Sequence, residues 1–73
     1  MTKLKKNLFE AMKKALFESQ VIRRKVFASE GDEAEYWEMI LARKLERSQA
    51  LYNVIIESGL EEEYLEWEYR EER

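Results

Sequence analysis

The residue types that can run chemistry in this chain are carboxylates: it has sixteen Asp and Glu but no His and no Cys. Glu10 with Glu18, or Glu35 with Glu38, are the pairs to consider as acid and base, or as a hold for a divalent ion. Without His the chain has no imidazole titrating near neutrality, and none of the Glu-x-x-His pairs that build dinuclear sites in helical bundles. Without Cys it has no thiolate nucleophile and no thiolate zinc ligands. There is no Gly-rich phosphate loop and no nucleophile elbow. A chain of 73 residues has little room for a pocket that excludes water. Glutamate is also an ordinary helix former. The expectation is therefore a protein that is not an enzyme, with no cofactor and no metal.

The remaining chemistry is recognition. Residues 1–28 carry net +6, residues 29–59 net −4 and residues 60–73 net −5. The basic stretch offers Lys3, Lys6, Lys13, Lys14 and Arg24 to nucleic-acid phosphates, with Lys5, Arg23 and Lys25 beside them. Against that reading, these groups are spread around their segment, and no zinc-finger spacing or compact recognition-helix pair accompanies them. The acidic end interleaves Glu61, Glu62, Glu63, Glu66, Glu68, Glu71 and Glu72 with Tyr64, Leu65, Trp67 and Tyr69. Aromatic residues are enriched where proteins grip one another, so Tyr64, Leu65, Trp67, Tyr69, Glu63 and Glu66 are candidate partner-binding residues. The plainer reading is a helix that packs through its aromatics and keeps its glutamates in water.

Three elements must position these groups. Pro is absent, and Gly31 and Gly59 are the only glycines, so everything between them favours helix. The first segment, about residues 3–28, has Leu4, Leu8, Met12, Ala15, Leu16, Ile22 and Val26 on one face, with Phe9 and Phe27 at its edge. Ser29-Glu30-Gly31 ends it. Asp32 and Glu35 then read as a reciprocal cap for the second segment, about 33–58. That segment places Ala34, Trp37, Leu41, Leu45, Leu51, Tyr52 and Ile55 on one face, Ile40 and Ile56 on its flanks, and small Ser48 within it. Lys44 interrupts the stripe; its stem is expected to cover apolar surface while the ammonium reaches water, the other option being a carboxylate on a neighbour. Gly59 stops the helix, with Leu60 supplying the hydrophobic contact of such a cap. The third segment, about 61–72, is too short to stand alone. Leu60, Tyr64 and Trp67 share one of its faces.

Two long helices joined by a few residues make an antiparallel hairpin, with paired numbers adding to about 60. Leu4 then faces Ile56, Leu8 faces Tyr52, Met12 faces Ser48, Ala15 faces Leu45, and Arg23 lies near Trp37. The acidic third helix, folded back, meets Lys3, Lys6, Lys13 and Lys14. The apolar stripes are wider than one hairpin buries. Phe17 and Val21 form a further pair off the first stripe, and Tyr36 and Val54, with Met39 and Ala50, a second strip on the second helix.

The fold class expected is all-α: one domain, a long antiparallel helical hairpin plus a short C-terminal third helix, forming a four-helix-type bundle as a homodimer. Met1 and the lysines after it resemble the start of a signal peptide, but the apolar run such a signal needs does not follow. No stretch approaches the roughly 20 apolar residues of a membrane span. The expected place is the cytoplasm, and the expected role a small non-catalytic protein–protein interaction factor, a regulator or accessory protein. Its expected partners are a second copy and another intracellular protein, with no membrane. The alternatives are a nucleic-acid-associated protein binding through the basic first helix of a dimer, and a structural or assembly oligomer.

Overall fold

The computed structural model describes residues 2–71, and all its regular structure is helical: α1 Lys3–Ala28, α2 Asp32–Glu57 and α3 Glu61–Glu71. The expected end of the third helix at Glu72, like Met1, lies outside the described residues. Among the described residues no helix is long and apolar enough to cross a membrane.

Each boundary has a local cause. Thr2 caps α1, its hydroxyl accepting the Lys5 N–H at 3.2 Å. At the other end the Ser29 hydroxyl donates to the Lys25 carbonyl at 2.7 Å, satisfying one of the last orphan acceptors. The start of α2 differs from the expected capping box. Gly31 holds the cap position, with φ 63° and ψ −133°, and no side chain caps the helix. The three-residue turn places its reversal on Gly31, because that backbone region is open to glycine. Asp32 is thereby drawn into the helix, where it and Glu33 and Glu35 act through the helix dipole instead of a capping bond. The end of α2 is as expected. Leu60 N–H donates to the Ile55 carbonyl at 2.9 Å and Gly59 N–H to Ile56 at 3.0 Å, with Gly59 at φ 70°. This is the paired bonding of a glycine-terminated helix, and Leu60 packs on the core that holds Ile55.

α1 and α2 form the antiparallel hairpin, two numbers out of the expected register. Lys44 Nζ meets Glu18 Oε2 at 3.1 Å, and Lys25 Nζ lies 4.4 Å from the Trp37 ring; both pairs add to 62. Lys25, not Arg23, therefore covers Trp37. Lys44 takes the second option, a carboxylate on the neighbouring helix, while its side chain stays about a third exposed (34%). The same shift puts Leu4 level with Ser58, past the last residue of α2. Leu4 is 82% exposed and Ile56 44%, so neither is buried by the pair expected between them.

The core sits at one end. Phe9, Met12, Ile55 and Tyr64 are buried together, with Leu8, Leu16, Leu51, Tyr52, Leu60 and Trp67 packed around them. Phe9, expected at the edge of its stripe, is its most enclosed member, because α3 supplies a third wall there. Ser19 and Ser48 are buried where the helices approach, each hydroxyl donating to the carbonyl three residues earlier. From residue 20 to residue 47 no side chain is buried. The molecule is correspondingly long and thin, 45 × 27 × 17 Å, with a radius of gyration of 14.4 Å. A compact chain of this length has about 11 Å.

Candidate interaction surface

α3 is anchored by its aromatic side and by charge. The Phe9 ring lies 5.3 Å from Tyr64, edge-on, and 5.7 Å from Trp67. Lys13 Nζ stands 5.7 Å over Trp67, and Lys5 Nζ pairs with Glu63 Oε2 at 2.7 Å. The Tyr52 hydroxyl donates to Glu61 Oε1 at 3.1 Å, which raises the Tyr52 phenol above its ordinary value by favouring the protonated form. Of the basic residues expected to receive this helix, Lys13 does so, while Lys5 takes the place given to Lys3 and Lys6.

This docking divides the α3 candidates. Tyr64, 1% exposed, is a core residue and is withdrawn from the binding surface; Trp67, half-buried, serves the same core. Glu63 is spent on Lys5. Leu65 at 51%, Tyr69 at 59% and Glu66 remain on the outer side. Leu65 and Glu68 form one wall of an open groove of about 300 Å³, with Met12 and Leu16 in α1 and Gln49 and Tyr52 in α2 as the others.

The hairpin candidates stay open to solvent. Phe17 is 64% exposed, Tyr36 53% and Val54 46%, and Val21 is half-buried. Phe17, Val21 and Ile22, with the Glu18–Lys44 pair, line a second groove of about 260 Å³ that no α3 residue enters. Tyr36 meets the Trp37 ring edge-on at 5.1 Å and Met39 beside it is 54% exposed. Phe27 and Leu45, assigned by periodicity to the core stripe, are also open. Nothing in their spacing separates them from buried neighbours; only the register and the reach of α3 do.

Lys44 bonds Glu18 and holds its carboxyl below the ordinary range, with its charge and those of Lys14 and Arg47 acting in the same sense. Glu10, Glu35 and Glu38 are exposed, and among the described residues no group of carboxylates is arranged to hold a metal ion. Lys3, Lys6, Lys13, Lys14 and Arg24 fall within an arc of about 100° on α1, at 100° per residue. All but Lys13 are exposed, and Glu10, Phe17 and Val21 share the arc. Comparison with protein-family models, with curated proteins and with solved structures yields no match.

Proposed function

We propose that this chain is a small non-catalytic protein–protein interaction factor, a cytoplasmic regulator or accessory protein. In this reading its hairpin self-associates into a four-helix-type homodimer and the outer side of α3 meets another protein. One observation carries it: residues 20–47 contain no buried side chain, yet Phe17, Phe27, Tyr36, Met39 and Leu45 stand open along that part of the hairpin or at its border. Helices gain most of their stability in proteins by burying an apolar face. A hairpin that buries no side chain fully over half its length gains from a third layer. Self-association makes the melting temperature depend on protein concentration. It should rise over a hundredfold concentration range for the native chain, and become constant for Phe17→Ser with Tyr36→Ser. A constant melting temperature for the native chain would sink the self-association.

The arc of Lys3, Lys6, Lys13, Lys14 and Arg24 favours a second reading, contact with nucleic-acid phosphates. Three basic groups of α1 are already engaged within the chain: Lys5 on Glu63, Lys13 on Trp67 and Lys25 on Trp37. Phosphate binding would show as affinity falling by about 0.9 log units per log unit of salt for each duplex phosphate neutralised.

A further inference from the structure

Along the side of α2 that contains Tyr36, residue chemistry changes in sequence. At 100° per residue, Asp32, Tyr36, Met39, Arg43 and Arg47 fall within an arc of about 80°. Glu33 and Ile40 flank it. The arc is acidic at its start, apolar in its middle and basic at its end. Asp32, Glu33, Arg43 and Arg47 are exposed, and none makes an ion pair or side-chain hydrogen bond among the described residues. By the hairpin register, Ile22 lies level with Ile40, next to the groove of Phe17 and Val21.

We infer that a second copy of this chain docks on this face antiparallel, about a two-fold axis between Met39 and Ile40. Rotation about that axis sets Asp32 against the partner's Arg47 and Tyr36 against the partner's Arg43. Met39 then meets the partner's Ile40. Asp32 meets its opposite charge, and the guanidinium of the partner's Arg43 meets an aromatic ring, an arrangement that is attractive in its own right. With the two hairpins parallel instead, α2 lies over the partner's α1 and Arg47 faces the partner's Lys14, like against like. Exposed ion pairs contribute little individually, so the charges choose the orientation while the apolar centre supplies affinity.

The area is right for a second copy. The chain exposes 5771 Å², where a compact monomer of its mass exposes about 4,800 Å². The excess, about 1,000 Å², is close to the roughly 800 Å² each partner gives to a stable interface. The groove of Phe17, Val21 and Ile22 has no α3 residue in its walls, and Glu68 of α3 lines only the adjoining groove on the Lys13 side of Phe17. A two-fold contact uses the same patch on both copies and closes at two.

This rests on the self-association in the proposed function and adds its face and orientation. Charge exchange tests it. One variant carries Asp32→Lys and Glu33→Lys, the other Arg43→Glu and Arg47→Glu, both checked for native helix content by circular dichroism. Each alone should dissociate at least tenfold more readily than the native chain, and an equimolar mixture should recover a dimer, because each chain then meets its opposite. If either variant loses its helices, the cysteine-free sequence offers a second measurement. Under mild oxidation Met39→Cys, next to the axis, should cross-link to itself, and exposed Leu65→Cys should not. Two variants that dimerise as tightly as the native chain, a mixture that stays monomeric, or cross-linking through position 65 alone would overturn the orientation. In those cases a native dimer would leave the self-association standing; a native chain that is monomeric throughout would remove both.

Discussion

Phe9→Ala is the substitution that tests how this small chain holds together. Phe9 is fully buried, and its ring touches both aromatic anchors of α3, Tyr64 at 5.3 Å and Trp67 at 5.7 Å. Truncating a buried Phe costs about 3–5 kcal/mol in lost transfer energy and cavity. A chain of this length has about 4–11 kcal/mol in total. The substitution therefore removes between about a quarter of the stability and all of it. It should also act unevenly. α3 has 11 residues and is below the length at which an isolated helix persists. Deprived of Phe9, α3 should detach before the hairpin melts. Urea unfolding at fixed protein concentration gives the total loss. Trp67 emission, read in a Trp37→Phe background, reports α3 separately and should shift to the red at urea concentrations where the hairpin remains helical. Leu4→Ala is the control: at 82% exposed and away from the open stretch of the hairpin, it should change stability by no more than about 0.5 kcal/mol. A Phe9→Ala loss below about 1 kcal/mol, or equal effects of the two substitutions, would refute the placement of the core.

Gly31→Ala should cost about 1–3 kcal/mol, because φ 63° with ψ −133° is a backbone region that a Cβ strains, although the space around it is empty. Gly59→Ala, at φ 70°, should cost about 1 kcal/mol, and Gly59→Asn less, both read by thermal unfolding. The Glu18 carboxyl is depressed by Lys44, so its contribution is present above the ordinary carboxylate value of 4.5 and is lost as pH falls through the lower folded value. Native and Glu18→Gln chains should thus converge in stability on acidification. Tyr52 has the opposite sign: its raised value means that stability is intact below pH 10 and declines above it. Tyr52→Phe should lack that alkaline decline.

Much of this architecture is written in local chemistry. Two glycines and the absence of proline mark the helix ends to within a residue, and Gly59 with Leu60 specifies its own cap. The face of α3 that docks follows from Leu60, Tyr64 and Trp67 falling on one side of a short helix. What periodicity could not supply was depth. Phe9 and Phe27 stand at equivalent edges of one stripe, yet one is enclosed and the other bare, because α3 reaches only the first part of α1. The Lys44–Glu18 pair was hidden for a related reason. Two units of register decide whether that lysine meets a carboxylate or water, and helical periodicity is insensitive to a slide along the axis. At the surface, Phe17, Val21, Tyr36 and Val54 were legible as apolar positions off the main stripes. Tyr64 was misplaced among them because the same aromatic residues serve cores and interfaces.

In the proposed reading a second copy closes the open half of the hairpin. Absolute mass by light scattering on a sizing column, at several loading concentrations and at low and high salt, tests it most directly. A dimer gives twice the 8.9 kDa of the chain at high loading, moving toward a single chain only on dilution. A mass of 8.9 kDa at every loading and salt would contradict it.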